Sequence, residues 1–156
     1  MNEFVESMAQ VVTGVTVVTV KDERDDVGVT VGTFTSISLD PPLVMVSLGN
    51  TGYLNELLLR HDRWAASVLS AEQKTIASRF ATAGRPGARL LLAGMPHHRG
   101  ERSGALVVDG GVTALEAETV KVVPAGDHTL FIAKVLGVDY VDASVPPLTR
   151  YRSRYR

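Results

Sequence analysis

The chain has 156 residues, 45% hydrophobic and 21% charged, which fits one globular domain over residues 1–156 with a real core. Sixteen basic residues face 17 acidic ones, a net charge of −1, so no overall positive field recruits nucleic acid or an anionic membrane. The lack of cysteine excludes disulfides and thiolate chemistry; with no signal-like start at Met1-Asn2-Glu3-Phe4 and no apolar run near the ~20 residues of a membrane span, a cytoplasmic protein is expected.

Residues 3–12 predict a short helix with Phe4, Val5, Met8, Val11 and Val12 on one side. Val15–Val20 is β-branched and reads as a strand, and Val27–Phe34 as its hairpin partner across a charged loop. Thr33, Thr35, Ser36 and Ser38 then crowd toward the stiff corner Asp40-Pro41-Pro42. Leu43–Leu48 is an apolar strand ending in the turn Gly49-Asn50-Thr51-Gly52, and Tyr53–Arg60 has the Leu54, Leu57, Leu58 spacing of a helix. Trp64–Leu69 reads as a buried strand. Ser70 is placed as the N-cap of the next helix, with Gln73 at its capping-box position and Ile76, Ala77 and Phe80 on its inner side.

Residues 84–103, with their glycines and prolines, read as loop. Ala105–Val108 is a short strand, and Asp109-Gly110-Gly111 is read as a hairpin turn. Val112–Val123 and His128–Tyr140 are two long strands around Gly126-Asp127, and Pro146-Pro147 leads into an extended tail carrying Arg150, Arg152, Arg154 and Arg156. About seven strands and three helices that rarely alternate with them predict a mainly β protein, a β-barrel with peripheral helices.

Four segments are candidate ligand contacts; in one of them, Arg79 suits a phosphate and Phe80 an aromatic ligand, or Arg79 is solvated and Phe80 is core. Hydroxyls and main-chain N–H groups from Thr30 to Ser36 suit a planar, phosphate-bearing ligand such as a flavin, and Gly32 permits close approach; a strand with threonines on its wet face has the same composition. The turn after Ser47-Leu48 opens a helix and offers N–H groups to a phosphate, or is an ordinary helix start. His128, after Gly126-Asp127, stands at a strand start, where an imidazole can hydrogen-bond a nucleotide or serve structure alone. His97-His98 lacks metal-ligand spacing and no metal is expected. No glycine-rich dinucleotide fingerprint and no Gly-x-Ser-x-Gly elbow is present.

In order and spacing, the segments Thr13–Thr19, Val29–Leu48, Trp64–Gln73, Arg79-Phe80-Ala81, Leu115-Glu116-Ala117, Gly126–Ile132 and Pro147–Tyr155 resemble the flavin reductase-like domain. That family is an FMN-binding split barrel, the reductase partner in two-component, flavin-diffusible monooxygenases. The resemblance implies an NAD(P)H-dependent reductase of FMN or FAD, with NADH or NADPH as hydride donor, working as a homodimer and passing reduced flavin to a partner monooxygenase. It implies that Thr30, Val31, Gly32, Thr33, Phe34, Thr35 and Ser36 line the ring and ribityl chain. Ser47, Leu48, Asn50 and Thr51 would hold the ring edge and phosphate, and Arg79 and Phe80 the phosphate or adenine end. His128, the candidate catalytic residue, would meet the nicotinamide nucleotide, and Tyr151 or Tyr155 would close the site. The same barrel is compatible with a flavin carrier without turnover, or with a pyridoxamine phosphate oxidase-like enzyme, although the Gly126-Asp127-His128 placement argues against the latter. The chain departs from the family at Gly49-Asn50-Thr51-Gly52, at His97-His98, and at Arg150, where relatives often carry an aromatic residue.

Overall fold

The computed structural model describes residues 2–156. In chain order its elements are α1 (Glu3–Met8), β1 (Thr13–Gly14), β2 (Thr16–Lys21), β3 (Asp26–Val31), β4 (Thr35–Leu39), β5 (Pro42–Gly49), α2 (Tyr53–Arg60), β6 (Arg63–Val68), α3 (Lys74–Ala81) and α4 (Ala88–Leu91). There follow β7 (His97–Arg99), β8 (Leu106–Val108), β9 (Thr113–Ala125), β10 (His128–Val141), β11 (Thr149–Tyr151) and β12 (Arg154–Tyr155). Seven strands form one antiparallel sheet in the order β3-β2-β6-β9-β10-β5-β4. Its two edge strands, β3 and β4, are consecutive in the chain and separated only by Gly32, Thr33 and Phe34. Four Cα steps reach roughly 14 Å at most. The sheet therefore has to roll until its edges meet, which makes a barrel with a seam at residues 32–34.

Burial follows from that rolling. Every residue of β2 from Thr16 to Val20 is buried, because its two faces belong to different cores. Val18 and Val20 point into the barrel with Val44, Val46, Leu48, Trp64, Phe131 and Ala133, plugged by Leu54, Leu57 and Leu58 of α2. Val17 points outward, under Ile76 and Phe80 of α3, Leu91 of α4, Leu106 and Leu148. Each core residue buried this way contributes roughly 1.5–3 kcal/mol of apolar transfer. Among the described residues, no helix is long and apolar enough to cross a membrane.

Several expectations are corrected. The first helix stops at Met8 rather than at residue 12, and none of its residues is buried. The hairpin partner strand stops at Val31, and the hydroxyl run beyond it becomes a separate edge strand, β4. Ser70 is not the N-cap: α3 begins at Lys74 with Gln73 as its cap, and the Gln73 side chain accepts from Ser70 N–H at 3.0 Å while donating to the Asp109 carbonyl at 2.7 Å. The loop 84–103 contains α4 and β7. Asp109-Gly110-Gly111 is a turn, with Gly110 at φ +84°, but not a hairpin. β8 pairs with β7, whereas β9 leaves the turn to pair with β6 and β10.

Two side-chain clasps hold the segment 97–104. Buried Glu116 accepts from Ser103 Oγ at 2.5 Å, Ser103 N–H at 2.8 Å and Arg102 N–H at 3.2 Å. Burial pushes its carboxyl pKa up, yet those donors outweigh it and the net shift is downward. His98 sits between two carboxylates, Asp139 at 2.9 Å and Asp109 at 2.6 Å, near Arg99, Glu101 and Arg102. The Asp139 bond first, then that of Asp109, raises the imidazole pKa against the opposing effect of burial. A histidine whose folded pKa is raised stabilises the fold below its unfolded value of about 6.5 and loses that contribution as pH climbs through the folded value. The stability difference between wild type and His98→Gln, read from melting curves across pH, should therefore be largest below about pH 6.5 and shrink as pH rises through the folded-state value.

Candidate functional site at the barrel seam

The seam exposes main chain more than hydroxyls. Thr30 Oγ1 donates to the Ala77 carbonyl of α3 at 2.7 Å. Thr33 Oγ1 donates to the Ser47 carbonyl at 3.0 Å and accepts from Ser47 N–H at 3.1 Å, which staples the seam to β5. Both hydroxyls are thus committed to the fold. Among the described residues, no backbone partner takes the N–H groups of Thr33 and Phe34. A Cβ on Gly32 would lie 2.8 Å from Thr13 Oγ1, so a side chain at this crossing would have to displace the Thr13 hydroxyl. Thr35 and Ser36 are exposed on β4.

Two clefts open on the seam and share Gly32 and Arg150 in their walls. The first, about 320 Å³, also takes in Val5, Met8, Thr13, Thr33, Arg152 and Ser153. The second, about 230 Å³, is lined by Gly14, Val15, Thr30, Val31, Ala81 and Tyr155 as well.

The other rim forms where β5 ends and β10 begins. Register sets His128 opposite Gly49, two residues beyond Ser47, so the two rims are about 7 Å apart along β5. Asn50 is the keystone. Its N–H donates to the Asp127 carbonyl at 2.9 Å, its Nδ2 donates to the Gly126 carbonyl at 3.3 Å, and its Oδ1 accepts from Thr129 Oγ1 at 2.7 Å. Gly126 makes the turn at φ +63°. His128 Nδ1 lies 2.7 Å from Asp127 Oδ1, and that bond holds the Asp127 carboxyl below the usual carboxylate range. The imidazole is half exposed and its Nε2 has no protein partner among the described residues. Thr51 is exposed beside this rim.

Other expected contacts lie elsewhere. Phe80 is 0% exposed in the outer core, and its ring packs so closely on β3 that a Cβ on Gly28 would be 2.7 Å from Phe80 Cε1. It has no surface to offer a ligand, because the helix face that carries it faces the sheet. Leu48 is 5% exposed inside the barrel, and Val31 and Phe34 pack against the same core. Arg79 Nη1 donates to the Leu91 carbonyl at the end of α4, at 3.1 Å, and lines neither cleft. The Tyr151 ring is covered by the guanidinium groups of Arg152 at 5.0 Å and Arg156 at 5.6 Å, while Tyr155 lines the second cleft. Sequence reasoning passed over Gly14, Thr13 and Thr129, which only the strand register brings to the rims. Among the described residues, no group of three or more His, Cys, Asp or Glu side chains is arranged to hold a metal ion.

Residues 8–156 match the flavin reductase like domain. The chain belongs to this family. It is 38% identical over 156 residues to the NADH-dependent FMN reductase AsuE2 of Streptomyces nodosus subsp. asukaensis, covering 98% of this chain and 82% of that protein. Among solved structures, the NADH:FAD oxidoreductase SgcE6 of Streptomyces globisporus, in complex with NAD and FAD fragments, superposes with a TM-score of 0.91 at 30% identity over 99% of this chain and 90% of that one. BorF, the flavin reductase component of a bacterial two-component tryptophan halogenase, also gives 0.91 at 30% identity, over 99% and 95%. As a family member, the chain is a flavin reductase-type β-barrel along its matched length.

Proposed function

We propose that the protein is an NADH-dependent flavin reductase that binds FMN or FAD along the seam, reduces it, and releases it to a flavin-dependent monooxygenase. The observation that carries this reading is the seam itself: two adjoining clefts that share Gly32 in their walls, beside two main-chain N–H groups without a backbone partner among the described residues. The names of the family relatives AsuE2, SgcE6 and BorF supply the reaction class.

A bound flavin supplies the hydride acceptor, and the reduced nicotinamide supplies the hydride. The protein's part is binding and positioning, since cofactors carry this chemistry. Gly32 would present its backbone to the ligand from the shared wall of the two clefts. The Thr33 and Phe34 N–H groups are pre-placed to stabilise negative charge on it. Thr35, Ser36, Asn50 and Thr51 are exposed around the opening and offer polar contacts. Asp127 holds one ring nitrogen of His128, which leaves Nε2 available to a nicotinamide nucleotide at the rim.

Two copies are proposed to form the working unit. In α1 and the residues after it, Phe4 is 69% exposed, and Val5, Met8, Val11 and Val12 are each about half exposed. This apolar surface adjoins the first cleft through Val5, Met8 and Val11, and a second copy covering it would close the opening. Anaerobic mixing of the protein with FMN or FAD and NADH tests the function. The oxidised flavin band should bleach at a rate that saturates with NADH; a band that persists with either flavin removes the enzyme reading.

A further inference from the structure

Arg150 is the tail arginine that lines both seam clefts, together with Gly32. It sits on β11 opposite Thr13 of β1 and opposite Tyr155 of β12. Arg152 is committed, its Nε donating to Gln10 Oε1 at 3.1 Å and its guanidinium lying over Tyr151, and Arg156 covers the same ring. Arg150, by contrast, has no carboxylate within 4.0 Å and no side-chain hydrogen bond among the described residues. Neither cleft has an aspartate or glutamate in its wall, although the whole chain carries one more acidic residue than basic. Arg150 therefore borders both clefts with its charge unpaired among the described residues. A planar fork of donors matches two oxygens of a phosphate group, which a tyrosine or lysine at this position would not.

We propose that Arg150 seats a phosphate group of the bound nucleotide at the junction of the two clefts and makes it a determinant of which phosphate-bearing ligand the seam accepts. This rests on the flavin reductase reading above. Two sources carry the same chemistry: the phosphate end of the flavin and the pyrophosphate of the nicotinamide nucleotide. Phosphate-free counterparts of both exist, riboflavin for FMN and N-benzyl-1,4-dihydronicotinamide for NADH, and they separate the sources.

The experiment compares wild type with Arg150→Gln and Arg150→Lys. Flavin affinity is read by fluorescence quenching with FMN and with riboflavin, and KM by turnover with each hydride donor. Arg150→Gln should weaken a phosphate-bearing ligand about tenfold while its phosphate-free counterpart is unchanged, with Arg150→Lys between, since losing hydrogen bonds to a charged group has effects of this size. Loss confined to FMN assigns the flavin phosphate, and loss confined to NADH assigns the pyrophosphate. If riboflavin and the benzyl donor weaken as much as their phosphorylated counterparts, or if no ligand is affected, the proposal is overturned. Wild-type turnover in the same cuvettes reports on the enzyme reading separately, and matched melting temperatures show that the exposed substitution leaves the fold intact.

Discussion

Phe80→Ala should destabilise the protein by about 3–5 kcal/mol, the usual cost of removing a buried phenylalanine, lowering the melting temperature by on the order of 10 °C. The ring is fully enclosed by α3, β3 and the outer core that also holds Val17, Ile76, Leu106 and Leu148. Gly28 leaves no Cβ between the ring and the strand, so truncation opens a cavity the rigid sheet cannot collapse. Flavin affinity of the protein that remains folded should be unchanged, because no atom of Phe80 reaches the seam. Thermal melts with and without FMN, together with a flavin titration below the transition, check this. An unshifted melt with weakened flavin binding would return Phe80 to the ligand site.

His128→Ala should lower kcat/KM for NADH about ten- to hundredfold while flavin affinity stays within about twofold, since misplacing a reactant by an ångström costs about that much. The imidazole is held from one side by Asp127, and its other nitrogen is free at the rim. Asn50→Ala should shift the same parameter in the same direction. Its side chain ties the β9–β10 turn to the end of β5 through the Gly126 carbonyl and Thr129 Oγ1, and without it the turn carrying His128 loosens. Single-turnover traces under anaerobic conditions separate binding from the reductive step. A His128→Ala variant that reduces flavin at the wild-type rate would leave the histidine a structural role only.

The elements with the clearest periodicity were legible in the residues. Leu54, Leu57 and Leu58 predict α2 because one helix face plugs the barrel, and the apolar runs of β5 and β10 predict strands, whose burial then alternates along β5 and the first half of β10. β4 was hidden for the converse reason: four of its five residues are exposed, so Thr35–Leu39 carries no buried face to read. α4 is four residues long and follows Pro86-Gly87, which mask so short a helix. The turn after Asp109 has hairpin chemistry, but Val112 N–H bonds to the Val68 carbonyl, and this long-range bond redirects the chain toward β6.

At the site, the segment was legible and its division of labour was not. The turn at Gly126-Asp127 opens β10 at His128 as the residues predict, and Gly32 lies at the seam between β3 and β4. The hydroxyls of Thr30 and Thr33 looked available for a ligand, yet both bond to carbonyls 47 and 14 residues away in sequence. Asn50 reads as a turn residue, and its keystone bonds depend on a partner 79 residues downstream. Such pairings are products of topology, which single-sequence propensities do not encode.

A crystal structure of the protein grown with FMN is the most direct test. The account predicts the isoalloxazine along the seam, with main-chain atoms of residues 32–36 against the ring and the ligand phosphate within reach of Arg150 or the turn after Ser47. Flavin bound at full occupancy at another place on the barrel, with the opening beside Gly32 filled by solvent, would contradict it.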